Sequence, residues 1–136
     1  MSDCIFCKII KNEIPSSKIY EDEDVFAFLD LRPSSKGHAL VVPKIHSKDF
    51  LDTPDEVLSK VISKVKKVAN GILAATNAAG FNLNVNTRPA AGQVIFHLHF
   101  HIIPRYENDG LHLFPQHELE SKTRTELAEH ISNFIK

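Results

Sequence analysis

Three histidines are separated by single apolar residues, His97-Leu98-His99-Phe100-His101, and Ile102-Ile103 follows them. A β-strand sends successive side chains to opposite faces, so this segment places three imidazoles on one face and Leu98, Phe100 and Ile102 on the other. Burying the apolar row is favourable only if each ring on the opposite row finds a partner, because an unpaired polar group inside a protein is costly. The pattern therefore demands a sheet, and it predicts a strand from Val94 to Ile103 with one face in a core and the other in a polar site. Along an ideal strand His101 lies about 13 Å from His97, so the three rings cannot share one ligand without a bend. They are expected to divide their labour.

The rest of the chain reads as the frame of that strand. Lys8 to Glu13 finishes a short helix before Pro15. Ile19-Tyr20 opens a strand region broken by the acidic turn Glu21-Asp22-Glu23-Asp24. Val25 to Leu31 reads as a strand apolar on both faces until Asp30, and after the turn cluster Pro33 to Gly37 the run His38 to Pro43 pairs with it as a hairpin. Thr53-Pro54-Asp55-Glu56 has the form of a capping box with Thr53 as the cap. A long helix follows, with Val57, Val61, Val65, Val68 and Ile72 along one stripe and Lys60, Lys64, Lys66 and Lys67 on the solvated side. Gly80 closes that helix region. Phe81 to Asn86 alternates as a strand with its asparagines on one face, Pro89 to Gly92 is a loop, and Leu127, Ile131 and Phe134 indicate a C-terminal amphipathic helix. With 136 residues the chain is expected to form one domain, residues 1–136, of α+β class, with an antiparallel sheet covered on one face.

Charge is nearly balanced, 16 Lys+Arg against 17 Asp+Glu, so no global positive field favours direct nucleic-acid binding. No apolar run approaches the roughly 20 residues of a membrane span, and there is no secretory leader pattern, so a cytoplasmic protein is expected. The two cysteines, Cys4 and Cys7, stand in C-x-x-C spacing. In a reducing compartment that spacing means metal ligation or thioredoxin-like redox chemistry. Two thiolates need two further ligands to close a tetrahedral zinc shell, and neutral imidazoles are the usual complement. Spacing alone leaves the choice open: His46 with one of the strand trio is one set, and His97 with His99 on a separate open metal site is another.

Several short segments occur in a telling order: Cys4-Ile5-Phe6-Cys7-Lys8-Ile9-Ile10, Phe28-Leu29-Asp30, Gly37-His38-Ala39-Leu40-Val41-Val42-Pro43-Lys44, His46, Ala91-Gly92-Gln93 and His97-x-His99-x-His101-Ile102-Ile103-Pro104-Arg105. From Cys4 to about Tyr106 the chain resembles the histidine triad (HIT) superfamily, close to its zinc-containing nucleoside phosphoramidate hydrolase branch. The resemblance implies a five-stranded antiparallel sheet with one long helix and short N- and C-terminal helices, and a homodimer. It places the nucleophile on His99, a phosphate or leaving-group contact on His101, and a supporting group on His38. It assigns one structural zinc to Cys4, Cys7, His46 and His97. The ribose contact falls on Asp30, the base pocket on Ile5, Phe6, Ile9, Phe28 and Leu31, and the phosphate contacts on Asn86, Gly92, Gln93 and the Val94-Ile95 backbone.

Elementary chemistry is compatible with these roles. A neutral imidazole at position 99 can attack phosphorus if its other nitrogen is held by a carbonyl, and a glycine beside a glutamine lets backbone N–H groups approach phosphoryl oxygens. The expected reaction is nucleotidyl transfer to His99 and then to water, releasing AMP or GMP from a purine nucleoside phosphoramidate or related conjugate. A dinucleoside polyphosphate hydrolase is the alternative enzyme. Many relatives carry Ser or Thr after the glycine-glutamine pair, where this chain has Val94. The missing hydroxyl keeps a third reading open, a nucleotide-binding sensor or scaffold with little turnover.

Overall fold

The computed structural model describes residues 3–135. A short helix α1 (Ile5–Ile10) precedes the strands β1 (Lys18–Glu21), β2 (Val25–Leu29) and β3 (Ala39–Pro43). The long helix α2 (Asp55–Thr76) follows, then β4 (Gly80–Asn84), a 3-10 turn (Pro89–Ala91), β5 (Phe100–Arg105) and helix α3 (Ser121–Ser132). All pairings are antiparallel, in the order β1-β2-β3-β5-β4. This is the expected α+β fold.

The sheet is buried on both faces over its centre, which corrects the expectation of one covered face. In β2 and β3 every position is apolar, so alternation feeds two cores instead of one core and a wet face. Val25, Ala27, Ala39, Val41, Phe100 and Ile102 pack beneath Val61, Val65, Val68, Ala69 and Ile72 of α2. Phe26, Phe28, Leu40 and Val42 face the other way and pack on Phe6 and Ile9 of α1.

Three local expectations are revised. The histidine strand begins at Phe100, not Val94, because the preceding residues are held by other partners: the Leu98 N–H donates to the Ser47 carbonyl, outside the sheet, at 2.9 Å, and the His97 ring donates to the carbonyl of Pro43 at the end of β3 at 2.8 Å. Thr53 does not cap α2. Its hydroxyl donates to the Asp49 carbonyl at 2.7 Å, Pro54 takes the cap position with no side-chain cap, and Asp55 and Glu56 complement the helix N-terminus by charge. The helix ends at Asn77, in the left-handed conformation that asparagine tolerates, while Gly80 opens β4. On the lysine side of α2, Lys64 pairs with Asp22, and Lys67 donates to the Tyr20 hydroxyl at 3.2 Å.

Candidate active site

His101 lies on β5 opposite Leu40 of β3, on the sheet face away from α2, and His99 sits just before the strand begins. Hydrogen bonding fixes the tautomers of three rings. The Nδ1 of His99 is 2.8 Å from the His97 carbonyl oxygen, which can only accept, so Nδ1 carries the proton and Nε2 keeps its lone pair. The Ser34 N–H donates to His38 Nδ1 at 2.9 Å, so the proton of His38 resides on Nε2 and is donated to His101 Nδ1 at 3.0 Å. His101 is left with a proton on Nε2. The site thus sets an imidazole lone pair on His99 beside an N–H donor on His101, with ring centroids 5.0 Å apart.

Burial keeps these rings neutral. It lowers His101 to about 4, helped by the neighbouring His99 and His38, and it lowers His99 against the opposing pull of the His97 carbonyl bond. His38 is likewise lowered by burial, with Asp30 pulling the other way. The Asp30 carboxylate lies 3.6 Å from His38 Nε2, and its other oxygen accepts the Arg32 N–H at 2.9 Å.

The loop before the histidines is held by a side chain that the family resemblance places at the phosphate. Gln93 is 4% exposed and its amide is fully used: Oε1 accepts the Arg88 N–H at 2.8 Å, and Nε2 donates to the carbonyls of Lys48 and Ile95 at 2.9 and 3.2 Å. Its backbone N–H donates to the Arg88 carbonyl at 3.2 Å and that of Gly92 to the Pro89 carbonyl at 2.9 Å, which leaves the Val94 and Ile95 N–H groups as the candidate phosphate donors and corrects the expectation for Gly92 and Gln93. Gly92 has φ +91°, a left-handed conformation that glycine adopts without strain, and it lies beside the Asn86 amide. Val94 is 78% exposed. Of the residues assigned to the base pocket, Phe6, Ile9 and Phe28 are buried together, with the Phe6 ring edge-on to His99 at 5.0 Å, while Ile5 and Leu31 reach the surface. Ile95 packs against the same cluster.

A second cluster joins Cys4, Cys7, His46 and His97. His97 donates from Nε2 to the Pro43 carbonyl, so its Nδ1 lone pair is free, and burial lowers it to about 4. That nitrogen lies 3.4 Å from Cys4 Sγ, 3.6 Å from Cys7 Sγ and 3.1 Å from His46 Nδ1, while Cys7 Sγ is 3.4 Å from His46 Nδ1. The edges of a tetrahedron with bonds of about 2.0 to 2.3 Å are about 3.3 to 3.8 Å, so the donor set fits a zinc ion closely. Burial and the adjacent Cys4 push the Cys7 thiol up. The structure separates His97 from His99: one turns Nδ1 toward the thiols, the other toward a carbonyl.

Sequence reasoning missed Ser34, Pro43 and Ser47, which act through backbone atoms carrying no residue signature. It also missed Arg88, whose φ of 75° and ψ of 156° belong to a region occupied almost only by glycine.

Fold, histidine arrangement and cysteine cluster together define a protein of the histidine triad class. The HIT domain family matches residues 11–108, and the chain belongs to that family. A relative from Arabidopsis thaliana, the adenylylsulfatase HINT3, is 50% identical over 110 residues, 81% of this chain and 56% of its own length. This chain therefore spans little more than half of that relative. The adenosine 5'-monophosphoramidase HNT1 of Saccharomyces cerevisiae is 44% identical over 109 residues, 79% of this chain and 66% of its own. A crystal structure from Streptococcus mutans superposes with a TM-score of 0.94 at 42% identity, covering 100% of this chain and 87% of that one. A zinc-bound histidine triad family protein from Mycobacterium smegmatis superposes with a TM-score of 0.78 at 34% identity, covering 97% and 98%.

Proposed function

We propose that the chain, as one HIT domain over residues 1–136, hydrolyses purine nucleoside phosphoramidates or related nucleoside monophosphate conjugates through a nucleotidyl-His99 intermediate. The observation that carries this reading is the pairing of tautomers, a free Nε2 lone pair on His99 beside an Nε2–H on His101. In the bound complex the base rests on Ile5, Phe6, Ile9, Phe28 and Leu31, and the ribose hydroxyls donate to Asp30. Asn86 and the backbone N–H groups of Val94 and Ile95 meet the phosphate, beside Gly92.

The His99 Nε2–P bond forms as the bond from phosphorus to the leaving nitrogen or oxygen breaks. The departing atom takes the electron pair and a proton from solvent, while the His101 N–H hydrogen-bonds it and His38 holds that donor in place. Water then attacks phosphorus, the His99–P bond breaks, a proton returns to solvent, and AMP or GMP leaves. Cys4, Cys7, His46 and His97 would hold a zinc ion, which when bound supplies a cross-link between the N-terminus and the segment before β5. The name of the yeast relative, a monophosphoramidase, supports the substrate class.

The protein is also proposed to be a cytoplasmic homodimer; among the described residues no helix is long and apolar enough to cross a membrane. Phe81 and Leu83 of the edge strand β4 are 38% and 42% exposed on the α2 face. Pairing two β4 edges would cover them.

The test is turnover of an adenosine phosphoramidate and of a dinucleoside tetraphosphate, with acid-free quenching and mapping of the adduct. The expected result is adduct on His99, faster phosphoramidate turnover, and loss of both in His99→Ala. An adduct on His101 refutes the mechanism. Tight AMP binding with no turnover would favour the sensor reading, for which the missing hydroxyl at Val94 speaks.

A further inference from the structure

The N-terminal segment is tied to the body of the protein through sulfur. Helix α1 spans six residues, too few to hold a helix alone in water, and the main-chain N–H groups of Lys8, Lys11, Asn12 and Glu13 all bond within the segment. Among the described residues, the only hydrogen-bonding or ionic contacts from residues 4–16 to the rest of the molecule are those of Cys4 Sγ with His97 and of Cys7 Sγ with His46 and His97. Apolar packing does the rest: Phe6 and Ile9 are buried with Phe28 and Leu40, and the Phe6 ring stands edge-on to His99. The helix that offers one wall of the nucleotide site is therefore fastened by a cluster that chemistry can take apart.

C-x-x-C spacing suits both metal ligation and thiol redox chemistry, and here one pair is placed for both. Cys4 caps α1, and its Sγ accepts the Cys7 N–H at 3.4 Å, which turns that sulfur over the first turn toward its neighbour. The ligand atoms of the cluster, both sulfurs included, lie within 4.8 Å of one another. Cys4 is half-buried and open to a small solute, whereas Cys7 is 8% exposed. One sulfur is thus placed to meet an oxidant and the other to resolve the product. The chain has no third cysteine to intercept it.

We infer that Cys4 and Cys7 form a peroxide-responsive switch, in which their oxidation to a disulfide discharges zinc, loosens α1 and weakens nucleotide binding. For its effect on binding the inference rests on the proposed nucleotide site. The Cys4 thiolate attacks an oxygen of the peroxide and becomes a sulfenic acid as hydroxide leaves. The Cys7 thiolate then attacks the Cys4 sulfur and displaces a second hydroxide. The two sulfurs lose two electrons, the peroxide gains them, and two protons from solvent complete two waters. His46 and His97 remain, too few to close a tetrahedral site. His99 keeps its tautomer, because its Nδ1–H stays on the His97 carbonyl while the His97 ring stays on the Pro43 carbonyl and the Leu98 N–H on that of Ser47, bonds in which no sulfur takes part. The change therefore falls on KM and not on kcat.

The test treats zinc-loaded, full-length protein with hydrogen peroxide and follows released metal with a chromophoric chelator. One zinc per chain should leave as mass spectrometry records the loss of two hydrogens and a peptide joining Cys4 to Cys7. Added zinc should restore chelator-stripped reduced protein, but the oxidised protein only after dithiothreitol. Retained metal, or sulfinic acid in place of the disulfide, overturns the switch. Amide hydrogen exchange over residues 5–10 should speed up about 10-fold on oxidation, and unchanged protection there overturns the loosening of α1. The Kd for AMP and the KM for an adenosine phosphoramidate should each rise about 10-fold, with kcat within about 2-fold. A fall in kcat at unchanged KM overturns the coupling to the site. Reduced zinc protein that binds no AMP would overturn the nucleotide site itself, while metal release and exchange still decide the switch.

Discussion

Replacing Arg88 by glycine should stabilise this protein, against the usual direction of such a change. Arg88 sits at φ 75° and ψ 156°, where a residue with a Cβ costs about 1–3 kcal/mol. Its neighbours hold it there: the N–H is locked on Gln93 Oε1, and the carbonyl accepts from the N–H groups of Ala91 and Gln93 at 3.0 and 3.2 Å. Glycine removes the strain but gives the unfolded chain more freedom, worth about 0.5–1 kcal/mol the other way. The net gain is up to about 2.5 kcal/mol. With an unfolding entropy of about 2.1 cal/mol/K per residue over 136 residues, that gain raises Tm by up to about 9 °C. Differential scanning calorimetry at saturating zinc measures it, and Arg88→Ala is the control, since alanine removes the guanidinium yet keeps the Cβ. A glycine variant that melts at or below wild type, or an alanine variant that gains as much, would refute the strain argument.

Gln93→Ala should cost about 2–4 kcal/mol in urea unfolding, because it strands the Arg88 N–H and two carbonyls. Catalysis should fall further than stability accounts for, as the loop bearing Gly92 loses its clamp; an unchanged kcat/KM would mean that this loop does not meet substrate. Metal analysis should find one zinc per chain, lost in Cys7→Ser with a lower Tm, and full occupancy in that variant would dismiss the ligand set. The pH dependence of stability has a definite sign. With His101 at about 4 when folded and about 6.5 when unfolded, the unfolded state binds the proton more readily between those values. Stability contributed by its burial is therefore full above about pH 6.5 and lost as pH falls toward 4, by up to about 3 kcal/mol. Subtracting the profile of His101→Asn from that of wild type should isolate this slope, and identical profiles would contradict it.

Much of the architecture was legible because it rests on local rules. The apolar runs at Val25–Leu29 and Ala39–Pro43, the stripe on Val61, Val65, Val68 and Ile72, and the alternation from Phe81 to Asn84 each announce their element by period alone. The histidine spacing announced a shared site but misplaced the start of its strand, since periodicity cannot register the bonds from Ser47 and Pro43 that pull Val94 to His99 out of the sheet. The capping box at Thr53 failed for a similar reason: the hydroxyl had a buried carbonyl nearer to hand than the helix N-terminus.

By itself the sequence determined which residues are chemically able to act, since imidazoles, thiols and a glycine bring that capacity wherever they lie. Only the tertiary structure decided which nitrogen of each ring is free, because a tautomer is set by what the other nitrogen touches. Those partners are the carbonyls of Pro43 and His97 and the N–H of Ser34, main-chain atoms that every residue carries alike. Folding likewise turned Gln93 inward as a clamp and brought Cys4 and Cys7 to His46 and His97, more than thirty residues away in the first case and ninety or more in the second.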